Sequence, residues 1–240
     1  MLPLSMMLAA RQRLSKGLAS DLASVSTSAL SILRLVLYLI VTVAAFGTIV
    51  IAVVRSPMPA ALFIENGPWE WLEFSLFAVS GAICFVNARR NEIYTHILKL
   101  CGLLALFAAV RELDHFLEEL VFKGAYEVID GVILALFVSL VWIHRLTLTK
   151  TLASFTKTAP FYFFVAAVLV VVYGEIIGQA ELWKALMGDH YVRPVKRAAE
   201  ELAEFMGYLL LFFGAVETCF LNDAHPYHPS PRVGEGRILR

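Results

Sequence analysis

Charged side chains are scarce in this sequence: 17% of its 240 residues are charged, whereas 59% are hydrophobic. A soluble domain is about half apolar and about a quarter charged. The shortage of charge excludes an ordinary soluble globule, and the apolar content excludes disordered and collagen-like chains. Three cysteines are too few for a disulfide framework. Basic and acidic residues both total 20, so the net charge gives no support for nucleic-acid binding.

Long apolar runs are what the sequence has instead. A membrane-spanning helix needs about 20 mostly apolar residues, and 35–54 is a charge-free run of that length between Arg34 and Arg55. Arg55-Ser56-Pro57 follows it, not a small-residue cleavage motif, so we expect an uncleaved first span. Five more apolar stretches follow, at 69–86, 97–117, 128–143, 160–177 and 202–221.

These runs predict an all-α integral membrane protein, a six-helix transmembrane bundle over residues 29–222. Residues 1–28 precede it, and we consider two structures for them: an amphipathic helix lying on the inner leaflet, or a flexible serine-rich terminus. A proline-rich tail at 223–240 is predicted to be extended.

The basic residues predict the orientation. Six spans place both termini on one side, and that side carries 13 of the 20 basic residues and 5 of the 20 acidic ones. Loops rich in lysine and arginine stay in the cytoplasm, so both termini are expected there. The opposite, outer side carries the remaining 15 acidic residues, an asymmetry that topology alone does not require.

Several ionisable residues fall inside the predicted spans, at one depth near the outer boundary. They are Glu73, Arg111, Glu112, Asp114, His115, Asp130, Glu175 and Glu204. Charged groups at membrane depth are costly and usually face a bundle interior or a wet cavity. Crowded carboxylates at low dielectric cannot all stay ionised, so protons, a bound cation or water must stabilise them. The layer therefore predicts a functional cavity.

Helix capping offers an alternative explanation for part of this layer. Acidic residues are favoured in the first turn of a helix, which would account for Glu73, Asp130 and Glu204. Glu112 and Glu175 lie near the C-terminal ends of their predicted helices, where the helix dipole disfavours an anion. Capping therefore does not explain these two residues.

The spacing Glu112-x-x-His115 predicts a metal site. On one helix, residues three apart share a face, and Glu-x-x-His joined by carboxylates from other helices is the ligand set of di-metal bundles. We expect Glu112, His115, Asp130 and Glu204 to bind a divalent transition metal (Zn, Fe or Mn), with Glu73 and Glu175 in catalytic roles. The alternative is a surface cluster at the frayed end of the third span.

Arg111 is the only basic residue in the layer. An unpaired cation inside a span is costly, so we expect Arg111 to form a structural ion pair with Glu73 or Glu175. Breaking a buried pair costs about 3–5 kcal/mol, which predicts a strongly destabilising effect of Arg111→Ala.

Two segments carry a resemblance. Glu65-Asn66-Gly67-Pro68-Trp69-Glu70 leads into the second span, and Arg111-Glu112-Leu113-Asp114 closes the third. Over roughly residues 65–120, the pairing resembles uncharacterised bacterial polytopic inner-membrane proteins with an acidic ENG-x-x-E segment and an R-E-L-D motif. The resemblance implies a bacterial inner-membrane setting and no particular activity.

Three functions fit this pattern. The first is a metal-dependent enzyme acting on a lipid or a lipid-linked substrate at the outer leaflet. The second is a cation or proton transporter, which would need a polar route to the inner face; the inner halves of the spans offer little beyond Glu217 and Thr218. The third is an accessory or structural subunit of a membrane complex, in which the acidic residues would be scattered and solvated.

Overall fold

The computed structural model describes residues 4–58, 62 and 67–221, with side chains from residue 29 onward. Helices and the turns between them make up this part of the chain, and it contains no strand. The α-helices are α1 Leu4–Arg55, α2 Pro68–Arg90, α3 Thr95–Glu112, α4 Asp114–Leu120, α5 Ala125–Phe155, α6 Ala159–Ile177, α7 Ala180–Met187 and α8 Arg193–Glu217. The predicted all-α class is confirmed.

Five of these helices are long and apolar enough to cross a membrane: α1 over Ala29–Arg55, α2, α5, α6, and α8 with its continuation to Phe220. Helix α3 is not among them, because its 18 residues include the charged Lys99, Arg111 and Glu112. The sixth span stays a prediction.

Helix α1 forms a compact unit of its own. It runs without interruption from Leu4 to Arg55, so the predicted boundary at residue 28 does not coincide with a helix end. From residue 29 onward it exposes apolar side chains on several faces, among them Leu33, Leu39 and Val43. A helix that is apolar on all faces is typical of a membrane span or of the core of a large protein. The tail at 223–240 lies outside the described residues.

In the second unit, the long helices pack in the order α5, α3, α2, α8, α6. Small residues let their backbones approach closely, as in membrane bundles. A Cβ atom on Gly81 of α2 would lie 3.3 Å from the carbonyl oxygen of Gly102 on α3. A Cβ atom on Gly207 of α8 would lie 3.1 Å from the carbonyl oxygen of Ala167 on α6.

Two helices, α5 and α8, are longer than the predicted spans, because polar residues continue each helix beyond its apolar part. Helix α5 extends past the predicted end at Ile143 to Phe155, with non-helical backbone angles at His144 inside it. Helix α8 begins at Arg193, well before the predicted Leu202, and Lys196 and Arg197 of its polar first turns pair with glutamates four residues later. Hydropathy marks the apolar part of a helix, not its hydrogen-bonded length.

Helix α3 ends earlier than predicted. The expected span ran to Leu117, but the helix stops at Glu112 and Leu113 has φ −107° and ψ 17°. A separate short helix, α4, begins at Asp114. This break changes the geometry of the predicted site.

Candidate functional site at the acidic end of the bundle

Helices α2, α5 and α8 begin, and α3 and α6 end, at one end of the second unit, which we call the acidic end. The pairing of residues along neighbouring helices establishes this arrangement. Trp69 and Phe77 of α2 contact Phe205 and Tyr208 of α8, which makes these two helices parallel. The glycine contacts make α3 antiparallel to α2, and α6 antiparallel to α8.

Glu73 is the most deeply buried acidic residue at this end. Its side chain lies in the second turn of α2 and is 2% exposed. It interacts with the Trp69 indole one turn earlier on the same helix, while its Oε1 atom accepts no hydrogen bond from any described residue. The groups on other helices that interact electrostatically with Glu73 are carboxylates, those of Glu112, Glu201 and Glu204.

Glu112 is the last residue of α3 and is half-buried. The hydroxyl of Tyr208 on α8 donates a hydrogen bond of 3.3 Å to its Oε1 atom. Tyr208 is itself buried and packs on Phe77, with ring centroids 4.3 Å apart. Our sequence analysis missed Tyr208, although its position four residues after Glu204 places both on one face of a helix.

Glu201 and Glu204 extend the acidic group along α8. Both interact electrostatically with Glu73, and Glu204 also interacts with Glu175 of α6. Because α8 begins at Arg193, both residues lie beyond the first turn, so the capping explanation does not apply to them. Arg197 forms an ion pair of 3.4 Å with Glu201, and the sequence analysis had not included Glu201 in the site.

Arg111 does not occupy the predicted position. Its side chain is exposed and forms no ion pair within 4 Å with any described carboxylate, neither Glu73 nor Glu175. It interacts electrostatically with Asp130 of α5. Asp130 is 8% exposed, and its Oδ1 atom accepts no hydrogen bond from a described residue. The electrostatic partner of Arg111 is therefore Asp130 on α5, not either of the two expected glutamates.

The structure does not support the predicted metal site. Glu112 and His115 lie on different helices, because the break at Leu113 separates α3 from α4. The side chain of His115 is 51% exposed, and its Nε2 atom is 3.6 Å from Glu119 on the same helix. Among the residues that the structure describes, no group of three or more His, Cys, Asp or Glu side chains is arranged to hold one metal ion. The metal-ligand role predicted for Glu112, His115, Asp130 and Glu204 therefore has no support from the described residues.

Two cavities meet at Arg111 and Glu112. The first, of about 420 Å³, is polar. Its other lining residues are Glu70, Asp114, His115, Glu118 and Tyr126. The second, of about 390 Å³, is a mainly apolar groove between α3, α6 and α8. Its lining includes Phe107, Ala108, Val168, Val171 and Leu211, together with Tyr208 and Glu175.

Buried polar residues also occur at the opposite end of the unit. We call it the basic end, because α2 finishes there with Arg89 and Arg90. Asn87 of α2 donates a hydrogen bond of 2.7 Å to Thr218, just beyond α8. Asn91 accepts a hydrogen bond from the backbone N–H of Tyr94, and Thr95 donates one to the carbonyl of Ala88. These contacts join α2 to α3 and α8, and the sequence analysis noted only Thr218 among them.

No protein-family model, curated protein or solved structure matches the chain significantly.

Proposed function

We propose that the chain is a multi-pass membrane protein whose acidic end binds an amphiphile, either a lipid or a lipid-linked compound, and acts on its headgroup. The observation that carries this proposal is the junction of the two cavities, where Arg111 and Glu112 line both the polar cavity and the apolar groove. An amphiphile needs this combination, a wet site for its headgroup beside an apolar site for its chain.

Membrane insertion is supported by the outer faces of the helices. Val132, Leu136 and Val138 of α5 and Val168 and Leu169 of α6 are all exposed. Exposed apolar surface of this extent is rare on soluble monomers. Helix α3 packs between α2 and α5, and two of its three charged residues, Arg111 and Glu112, are the last two residues of the helix. We therefore count it as the sixth span.

The charge asymmetry and the resemblance complete the proposed setting, a bacterial inner membrane with both termini in the cytoplasm and the acidic end outside. Single cysteines test this orientation in a background without native cysteines. Cysteines at Ser56 and Asp189 are expected to react with an impermeant thiol reagent from the periplasm, whereas those at Asn91 and Ser154 are not. Labelling of Asn91 from outside would reverse the orientation.

The charges of the polar cavity favour a headgroup that carries both signs. The guanidinium of Arg111 suits a phosphate oxygen, whereas Glu70, Asp114 and Glu118 favour a positive group such as an ammonium. Glu112, which accepts a hydrogen bond from Tyr208, is the group that we assign as a general base for a hydroxyl or a water molecule. The proposed reaction class is acid–base chemistry on the headgroup.

Binding of phosphatidylethanolamine to the purified full chain tests this proposal, with native mass spectrometry after detergent exchange as the readout. We expect the wild type to retain the lipid and Ala108→Trp, which fills the groove, to lose most of it. Ala135→Trp is the matched control, because Ala135 is exposed on α5 and does not line either cavity. Equal retention by both tryptophan variants would contradict the proposal.

A cation or proton transporter is the second candidate. The buried and unpartnered Oε1 atom of Glu73 favours it, because a buried carboxyl group without a counter-ion is typical of proton and ion sites in membranes. Proton uptake by proteoliposomes under an imposed gradient tests this candidate. Glu73→Gln is expected to abolish any such uptake.

A further inference from the structure

A third cavity lies between α3, α5 and α6, nearer the basic end than the apolar groove of the amphiphile site. Its volume is about 340 Å³, and every residue that lines it is apolar. The lining includes Ile97 and Cys101 of α3, Phe155 of α5, and Phe161 and Phe164 of α6. The proposed headgroup chemistry does not use this cavity.

The third cavity and the apolar groove follow the same two helix faces. On α6, the lining continues from Phe164 through Val168, which lines both cavities, to Val172 in the groove. Residues four apart share one face of a helix. On α3, Cys101 of the third cavity and Ala108 of the groove lie two turns apart on one face. The two cavities are therefore consecutive parts of one apolar surface channel, which we call the long groove.

The long groove extends along most of α6. It runs from Phe161 near the basic end to Glu175 at the acidic end, a helix rise of roughly 21 Å. One leaflet supplies about half of a hydrocarbon core that is about 30 Å thick. The long groove is thus deeper than one leaflet.

The long groove is closed at its basic end and open at its side. Phe155 is 2% exposed, and its ring centroid lies 6.1 Å from that of Phe161 and 6.5 Å from that of Phe164. Val168 and Leu169, by contrast, are exposed. A chain can therefore enter sideways from the bilayer, and the aromatic rings limit how far it reaches.

The width of the long groove favours a hydrocarbon chain over a helix from a second copy of the protein. A helix with its side chains is about 10–12 Å across. Over the length of the long groove, such a helix would fill much more space than the two cavities of about 390 and 340 Å³ provide. A single hydrocarbon chain is narrow enough to fit.

We propose that the long groove binds one extended acyl chain of a phospholipid, with the methyl end of the chain against Phe155, Phe161 and Phe164. This inference rests on the proposed amphiphile site, because the headgroup of the same lipid would lie at Arg111 in the polar cavity. Apolar groups gain little from leaving lipid for protein, so close packing along a shaped groove supplies the selectivity. The second chain of the lipid stays in the bilayer.

Photo-crosslinking of the full chain in proteoliposomes tests the position of the chain. The probes are two forms of phosphatidylethanolamine, one with a diazirine at the methyl end of an acyl chain and one with a diazirine beside the ester. Tandem mass spectrometry identifies the labelled residues. We expect the terminal probe to label Cys101 and Phe161, and the ester-side probe to label Ala108 and Val172.

Cys101→Trp fills the long groove near its closed end, and Ala135→Trp on an exposed face of α5 is the matched control. We expect Cys101→Trp to lose most terminal-probe labelling of Phe161 and to keep ester-side labelling of Val172. Ala135→Trp should change neither. In the wild type, terminal-probe labelling of the exposed Val132 as strong as that of Phe161 would overturn the inference, because the chain would then be ordinary surrounding lipid.

The outcomes separate this inference from the proposed function. Equal lipid retention by Ala108→Trp and Ala135→Trp contradicts the proposed function, whatever the labelling pattern. Retained lipid whose terminal probe labels only outward faces overturns the chain position and leaves the proposed function standing. A lipid-free protein dimer in native mass spectrometry that Cys101→Trp disrupts would assign the long groove to a second copy, which also overturns the inference.

Discussion

Both ends of the second unit bury polar side chains, but the two ends differ in whether those side chains form hydrogen bonds. At the basic end, Asn87, Asn91 and Thr95 all make hydrogen bonds to neighbouring residues, and His96 Nδ1 is the buried side-chain atom there that has no hydrogen-bond partner among the described residues. At the acidic end, Glu73 and Asp130 each have a buried oxygen atom that accepts none from a described residue. A satisfied buried network stabilises one arrangement of helices, whereas an unsatisfied group costs stability. The comparison indicates that side-chain hydrogen bonds join the helices at the basic end, whereas the buried carboxyl groups at the acidic end do not stabilise the packing in this way.

The largest expected effect on stability comes from helix packing, which does not depend on the polar side chains at either end. Gly207→Ala places a Cβ atom against Val171 and the Ala167 backbone, and overpacking of this kind typically costs about 1–3 kcal/mol. Gly131→Ala on α5 is the control, because its Cβ atom meets nothing within 4 Å and replacing a helical glycine stabilises by about 0.5–1 kcal/mol. Thermal unfolding in detergent measures both. A neutral Gly207→Ala would mean that α6 and α8 are less closely packed.

The second prediction tests the structural role of the basic end. Asn87→Ala removes the hydrogen bond to Thr218, and interhelical hydrogen bonds in membranes are worth about 0.6–2 kcal/mol. We expect a loss of stability in that range, whereas Glu73→Gln at the acidic end should change stability less. Denaturant titration of the two variants compares the ends directly. A larger loss for Glu73→Gln would break the comparison.

The third prediction concerns Tyr208, which connects α8 to Glu112. Tyr208→Phe keeps the ring on Phe77 but removes the hydrogen bond to Glu112, a contact worth about 0.5–1.5 kcal/mol. We expect a small loss of stability and a general base that is held less firmly in position, visible as slower turnover once a substrate is known. Tyr173→Phe is a suitable control, because Tyr173 is exposed on α6. Equal melting of Tyr208→Phe and the wild type would exclude a stabilising contact.

The smallest expected effect on stability concerns Arg111. An exposed side chain without an ion pair contributes about 0.5 kcal/mol or less, so Arg111→Ala should melt close to the wild type. It should nevertheless weaken retention of phosphatidylethanolamine, and Arg145→Ala at the basic end should not. A stability loss of about 3–5 kcal/mol would instead support the buried ion pair expected from the sequence.

Local sequence patterns predicted the helices well. Pro68 is the first residue of α2 and Pro160 lies in the first turn of α6, the helix position that proline favours. The early end of α3 was harder to predict, because 113–117 continues an apolar pattern through Leu113, Phe116 and Leu117. Only the backbone angles at Leu113 show the break. Glu112 and His115 do not share one helix face for this reason, since three-residue spacing places side chains on one face only within a continuous helix.

The sequence by itself determined that the chain is helical, which segments are apolar, and that acidic residues gather near one set of helix ends. These properties follow from composition and from local spacing. The tertiary structure decided which of those residues interact: Tyr208 is hydrogen-bonded to Glu112, Asn87 is hydrogen-bonded to Thr218, and Arg111 interacts electrostatically with Asp130 without forming an ion pair with Glu73. Such contacts depend on the rotation and register of packed helices. Close approach at residues such as Gly81 and Gly207 sets that register, and hydropathy carries no information about it.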